Sequence, residues 1–106
     1  MNAGFLNKVT LKFLIHDKIS SRGEYMNRQV TPGSVWTHFK GRHIATVIAV
    51  AKHTETEESL VVYDCYDTEL KESSGVFARP LEMFLSEVDH DKYPEIKQRY
   101  RFERQA

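Results

Sequence analysis

The sequence predicts a small, mainly β domain, a barrel or roll of about five short strands with one short helix or helical turn near the C-terminus. Three observations favour this fold class. The chain has 106 residues, enough for one domain with one core. Its β-branched and aromatic residues form short runs, separated by Gly, Pro and polar clusters. No long segment has the apolar spacing of an amphipathic helix.

The first predicted hairpin follows a strong turn signal at Pro32-Gly33. The residues from Val35 to Phe39 favour a strand, Lys40-Gly41 favours a tight turn, and a second strand is predicted from Arg42 to Ala51. The segment His43–Ala51 is apolar at both odd and even positions. This pattern predicts a central strand that is covered on both faces.

Two further strands are predicted beyond this hairpin. The polar turn region 53–59 leads into a strand over residues 60–66. Residues 69–75 are predicted to form a polar loop, and residues 76–79 a short strand. Pro80 should stop that strand, because proline has no N–H to donate to a ladder.

The C-terminal part predicts less regular structure. Residues 81–88 allow a helical turn followed by a strand through Phe84 and Val88. Pro94 suits the first position of a short helix that would run to about Tyr100. Residues 101–103 are predicted to close the sheet.

Residues 1–26 are predicted to form an N-terminal extension, flexible or dispensable, before a single domain over residues 27–106. Alternation of Val9, Leu11, Phe13 and Ile15 with other residues predicts a strand over about residues 8–16. Two interpretations stay open. The segment is a natural extension, or it results from an upstream choice of start codon.

Composition excludes several classes of protein. Net charge is zero, so no overall field attracts nucleic acid or anionic lipid. The single cysteine, Cys65, excludes a domain held by internal disulfides. No apolar run is long enough for a transmembrane helix, and no signal peptide is convincing. We therefore expect a cytoplasmic protein that does not bind membranes.

Four blocks together resemble a known but functionally unassigned bacterial family, DUF1653. They are His38-Phe39-Lys40-Gly41, residues 53–58, Leu60-Val61-Val62-Tyr63 and Arg79-Pro80-Leu81-Glu82-Met83-Phe84. Arg101-Phe102 is similar to the closing Arg-Phe of that family, and the resemblance covers about residues 30–103. It implies an SH3-like barrel and implies no function. One departure is Ile44, where the family usually has an aromatic residue.

His38 and His43 form the first candidate site. With a turn at Lys40-Gly41, the two histidines should face each other across the hairpin, with Cβ atoms about 4.5–5.5 Å apart. A metal would need a third ligand, from Cys65, Asp64 or His53. The chain lacks the usual metal-ligand spacings, so we expect two histidines near a hairpin tip and no bound metal or cofactor.

A second candidate site combines residues near strand ends. His53 follows one predicted strand, Tyr63 lies in the next, and Arg79 ends a third. Arg79 could clamp an anion and His53 could transfer a proton. The structural alternative, which we favour, is an ion pair between Arg79 and Glu55 or Glu58.

Aromatic residues suggest a third possibility, the stacking of nucleic-acid bases beside Lys40, Arg42 and Lys52. The residues concerned are Trp36, Phe39, Tyr63, Tyr66, Phe77 and Phe84. A domain this small needs most of its aromatic residues for its core, so nucleic-acid binding is the weaker interpretation.

The sequence as a whole favours a non-catalytic binding module over an enzyme. Such a module would present a polar barrel rim to a small anionic ligand or to a protein partner. The candidate binding residues are His38, Lys40, His53, Glu55, Glu58, Tyr63 and Arg79. The alternatives are a small acid–base enzyme that uses His53, Tyr63 and Arg79, a nucleic-acid-binding barrel, and a purely structural domain.

Overall fold

The structure is a computed structural model and describes residues 28–105. Five strands and one short helix follow one another along this part of the chain. They are β1 (Val35–His38), β2 (His43–Lys52), β3 (Ser59–Asp67), β4 (Glu72–Pro80), α1 (Leu81–Phe84) and β5 (Phe102–Arg104). The mainly β class with one short helix near the C-terminus is therefore confirmed. The strand predicted over residues 8–16 lies outside the described residues.

The strands form a single antiparallel sheet in the order β4-β3-β2-β1-β5. β4 and β5 are the two edge strands, and no ladder joins them within residues 28–105. The pairing is thus that of an open sheet, and closure into an SH3-like barrel is not shown. Within the same range, no helix is both long and apolar enough to cross a membrane.

The predicted first hairpin forms with its turn at Lys40-Gly41. Gly41 has φ 77°, and its N–H donates to the carbonyl of His38 over 2.8 Å. A left-handed backbone of this kind favours glycine. The register places Trp36 opposite Ala45 and Thr37 opposite Ile44, so His38 and His43 face each other as expected.

β2 is central in the sheet, but only one of its faces is covered within residues 28–105, which corrects the prediction of two covered faces. Ala45 and Val47, which face the core, are buried, whereas Thr46 on the outer face is exposed and Ile48 at the bulge is 49% exposed. The register with β3 shifts between Val47 and Ala49. Beyond this bulge Val50 is opposite Val61 and belongs to the inner face, although it is 42% exposed. The apolar residues at both odd and even positions therefore accompany a bulge and not a second covered face.

The core lies on the inner face of the sheet, where α1 covers it. Its buried members are Trp36, Ala45, Val47, Val61, Tyr63, Phe84 and Phe102. The ring of Phe84 stacks on that of Phe102, with centroids 4.2 Å apart, and meets Trp36 edge-on at 5.3 Å. α1 is only four residues long, so its intrinsic stability as a helix is small. The packing of Phe84 in the core stabilises it.

β4 is longer than predicted, because it begins at Glu72 inside the expected loop. It pairs with β3 along its whole length, and the register shifts once, between Cys65 and Tyr66. Backbone pairing with a long neighbour thus extends a polar segment into a strand. Pro80 ends β4, as predicted.

The short helix predicted from Pro94 to about Tyr100 does not form, and neither does a strand through Phe84 and Val88. Turns and bends occupy the first segment, and only an isolated bridge joins Glu87 to Tyr100. The amide side chain of Gln98 donates to the carbonyls of Thr37 and Tyr100. The bond to Thr37 is a tertiary contact, and it ties this non-helical segment to β1.

Candidate functional site

A groove of about 240 Å³ lies where the first hairpin meets the segment that leads into β5. Its lining residues are His38, Phe39, Lys40, Val88, Asp89, Lys92, Tyr93 and Arg101. Backbone hydrogen bonds hold the two walls together, from Phe39 N–H to the Arg101 carbonyl (2.9 Å) and from Arg101 N–H to the Ser86 carbonyl (2.8 Å). The groove is therefore built on paired backbone, although most of its residues lie outside strands.

His38 is a half-buried polar side chain of the groove. Its ring contacts those of Phe39, Phe102 and His43, with centroids 4.5, 5.0 and 6.4 Å away. Its Nδ1 accepts a hydrogen bond from the backbone N–H of Lys40 over 3.2 Å. Accepting this bond requires an unprotonated Nδ1.

The pKa of His38 is lowered to about 4, first by burial and then by the positive charge of Arg79. His43, Arg101 and Lys40 lower it further. The imidazole is therefore neutral near pH 7. Burial is the largest of these causes, and three permanent cations, Arg79, Arg101 and Lys40, lower the pKa in the same direction.

Two lysines and an arginine supply the charge of the groove. The Nζ atoms of Lys40 and Lys92 lie 5.1 and 5.4 Å from the ring centroid of Tyr93. A hydrogen bond with Lys40 lowers the pKa of the Tyr93 hydroxyl. Arg101 Nε donates to Ser86 Oγ over 3.2 Å. Within residues 28–105 none of these three cations forms an ion pair.

Asp89 is the carboxylate that lines the groove. Its Oδ1 accepts the backbone N–H groups of Asp91 (3.1 Å) and Lys92 (3.2 Å), so it closes the turn that carries Lys92 and Tyr93. Asp89 thus organises the groove wall, and the groove keeps an excess of two positive charges over its lining residues, three cations against one carboxylate.

Arg79 lies near this groove, on the inner face of β4. It is opposite Val61 in the sheet, its Nε donates to the Tyr63 hydroxyl over 3.4 Å, and its guanidinium lies 5.4 Å from the ring centroid of Phe102. The expected ion pair with Glu55 or Glu58 is not found among the described residues. Cation–π and hydroxyl contacts take its place.

His53 lies apart from Tyr63 and Arg79, in the turn between β2 and β3. Its Nδ1 accepts hydrogen bonds from the backbone N–H groups of Glu55 (3.0 Å) and Thr56 (3.3 Å), and the backbone N–H of His53 donates to the Glu58 carbonyl. Tyr63 is four residues beyond Ser59, the first residue of β3, which corresponds to about 13 Å of strand. The structure therefore brings Tyr63 and Arg79 together but not His53, Glu55 and Glu58, which form the turn.

The geometry around the two facing histidines does not favour a metal. No group of three or more His, Cys, Asp or Glu side chains in residues 28–105 has an arrangement that could hold a metal ion. His43 Nε2 instead lies 3.6 Å from Asp67 Oδ2. Burial and nearby carboxylates raise the pKa of the Cys65 thiol, which packs against the core and is not an activated nucleophile.

Sequence analysis missed four residues of the groove, Asp89, Lys92, Tyr93 and Arg101. The adjacent Lys92-Tyr93 pair offered a weak signal, because a cation beside an aromatic residue is common in binding surfaces. Arg101 was assigned only to the closing strand. Nothing local in the sequence places it next to His38, since 63 residue positions separate the two.

The predicted aromatic set divides between the core and the surface. Trp36, Tyr63 and Phe84 are buried, and Phe39 packs against the ring of Tyr93 at 5.1 Å. Tyr66 and Phe77 are 38% and 46% exposed. Phe77 lies on the inner face of the sheet, because it is opposite the buried Tyr63. Tyr66 is three residues beyond Tyr63 in β3, so its side chain lies on the outer face. They do not form one stacking platform.

The described residues define a small all-β domain with a polar, cationic groove at one end of its first hairpin. A family model described as "Protein of unknown function (DUF1653)" matches residues 34–104, and the chain belongs to this family. Neither the curated proteins nor the solved structures contain a match to the chain. The predicted family membership is thus confirmed, and it assigns no activity.

Proposed function

We propose that this domain is a non-catalytic binding module that takes a small anionic ligand, such as a phosphate group, in the groove around His38. The observation that carries the proposal is the convergence of Lys40, Arg101 and Arg79 on one neutral imidazole, with no carboxylate paired to any of them in residues 28–105. We further propose a cytoplasmic location, on the single unpaired cysteine.

The physical argument concerns charge. Like charges held close together raise the free energy of the unliganded protein, and an anion between them removes that repulsion. Arginine and lysine donors also make the strong, charge-assisted hydrogen bonds that phosphate and carboxylate groups accept. The rings of Phe39 and Tyr93, in contact beside Lys40, offer an apolar wall for the remainder of a ligand.

The test is a comparison of inorganic phosphate with sodium chloride at matched ionic strength. We expect phosphate to raise the melting temperature of the full chain. Lys40→Ala should weaken phosphate binding by roughly tenfold, since a hydrogen bond to a charged group contributes roughly 1.5–3 kcal/mol. Lys97→Ala is the matched control, because Lys97 is exposed and does not line the groove.

An NMR titration of His38 gives an independent measurement. In the free protein its pKa should be about 4. A bound anion should raise it, because negative charge favours the imidazolium. Equal stabilisation by phosphate in Lys40→Ala and in the unmodified chain, together with an unchanged His38 pKa, would overturn the proposal. Turnover of a bound phosphoester would instead favour an enzyme.

A further inference from the structure

The outer edge of β4 has no strand beside it within residues 28–105. An unpaired edge presents a row of N–H and C=O groups, and proteins usually protect such an edge with lysines, prolines or a short strand. β4 is nine residues long, contains no lysine, and has its proline at the last position. At its centre, Val76 and Phe77 are 60% and 46% exposed.

We propose that two copies of this chain associate through β4, antiparallel and about a two-fold axis at Val76, so that the sheet continues from one copy into the other. The strand that pairs with the unpaired edge of β4 is thus β4 of a second copy. The proposal concerns the edge of β4 and not the groove lined by Lys40 and Arg101, although Arg79 enters both arguments.

The faces of β4 follow from its pairing with β3. Residues opposite buried members of β3 share the inner face, and these are Glu72, Phe77 and Arg79, opposite Asp67, Tyr63 and Val61. Gly75, opposite Cys65, belongs to the same face, while Ser73, Val76 and Ala78 belong to the outer face. Ser74 is the extra residue where the register shifts.

This distribution is self-complementary when β4 pairs with itself around Val76. Phe77 then lies opposite the partner's Gly75, which has no side chain and leaves room for the ring. If Ser74 is skipped here as it is against β3, Arg79 lies opposite the partner's Glu72. Each opposed pair then shares a face, as antiparallel pairing requires.

Charge favours this register. Neither Arg79 nor Glu72 has an ion-pair partner in residues 28–105. The two-fold axis creates the Arg79–Glu72 contact twice, once at each end of the strand pair. Because one strand pair is smaller than the roughly 1,000 Å² typical of specific interfaces, we expect a weak dimer that depends on protein concentration.

Sedimentation equilibrium of the full chain tests the proposal. The unmodified chain should shift from monomer to dimer as its concentration rises. Val76→Lys should weaken association by at least about tenfold, because it places two like charges opposite each other on the axis. Leu70→Lys is the matched control: Leu70 is 61% exposed but lies in the turn before β4, so the dimer should persist.

A charge exchange tests the register itself. Glu72→Arg and Arg79→Glu should each weaken the dimer, and an equimolar mixture of the two variants should restore it, because both opposed pairs are then of opposite sign. The proposal is overturned if the full chain stays monomeric at every concentration, if Leu70→Lys is as disruptive as Val76→Lys, or if the mixture stays monomeric. A monomer with slowly exchanging β4 amides would indicate that residues 1–27 occupy the edge.

Discussion

Asp67 shows at the scale of one residue how this small domain buries a charge. Its side chain is 4% exposed, and its two oxygens are fully used: Oδ2 accepts from Arg42 Nε at 3.0 Å, and Oδ1 accepts from the backbone N–H groups of Glu69 and Leu70. One carboxylate thus joins the end of β3, the turn before β4 and the first hairpin. Sequence analysis assigned Asp67 no role.

The pKa of Asp67 leads to a prediction about acid stability. The hydrogen bond from Arg42 and those from the backbone lower this pKa from 3.8 to about 2. A carboxyl group whose pKa is lower in the folded state stabilises the protein above the unfolded pKa, and that stabilisation is lost as the pH falls. We therefore expect the unfolding free energy contributed by Asp67 to decrease from about pH 4 to pH 2.

Urea denaturation as a function of pH measures this contribution. Asp67→Asn should be less stable than the unmodified chain at pH 7, and the difference should shrink toward pH 2. Asp91→Asn is the control, because Asp91 is exposed and its carboxylate has no described partner of this kind. A constant difference between Asp67→Asn and the unmodified chain from pH 7 to pH 2 would contradict the prediction.

At the scale of elements, all three hairpin turns of the described residues use the left-handed backbone, and two of them do so with very different residues. Gly41 has φ 77° in the first turn, and Lys71 has φ 59° in the turn before β4. Glycine adopts this region without strain, whereas a side chain makes it unfavourable. A Cβ added at Gly41 would meet nothing within 4 Å, so a substitution there changes the backbone preference and no contact.

Exchanging these residue types should have opposite effects. Gly41→Ala should lower the free energy of unfolding by about 1 kcal/mol, and Lys71→Gly should leave it equal or raise it by up to ~1 kcal/mol. Urea denaturation of both variants measures the two changes. An equal loss of unfolding free energy in both variants would contradict the prediction, because turn conformation would then not determine the change in stability.

At the scale of the whole molecule, Arg28 ties the start of the described chain to its end. Its guanidinium donates to the carbonyls of Phe102 and Leu85, at 2.7 Å each, and lies 3.9 Å from the ring centroid of Tyr100. These contacts join the segment before β1 to β5 and to the residues after α1. We therefore expect the domain to need its chain from at least Arg28 onward.

A truncation series tests the predicted boundary between residues 1–26 and the domain. A chain that begins at Met26 keeps Arg28, and we expect its unfolding free energy to lie within about 1 kcal/mol of the full chain. A chain that begins at Val30 loses both hydrogen bonds of the guanidinium and should be less stable by ~2 kcal/mol or more. A loss above about 2 kcal/mol in the first chain would show that residues 1–25 belong to the fold.

Local sequence patterns were sufficient to predict the strands of the first two hairpins and the turn at Lys40-Gly41. They also predicted that His38 and His43 lie opposite each other. The alternation of apolar residues, the conformation of glycine and the register of a hairpin depend on neighbouring residues. A short stretch of sequence is therefore enough to predict them. The separate expectation that strand ends converge grouped Tyr63 with Arg79, together with His53.

Tertiary structure alone decided the rest. It extended β4 through a polar segment, kept the residues after Pro94 from forming a helix, and left the outer face of β2 uncovered. It also brought Arg101 and Tyr93 beside His38 and gave Arg79 a hydroxyl and a ring as its partners in place of a carboxylate. These outcomes depend on contacts between distant parts of the chain, whose free energies exceed local propensities, and no short window of sequence contains them.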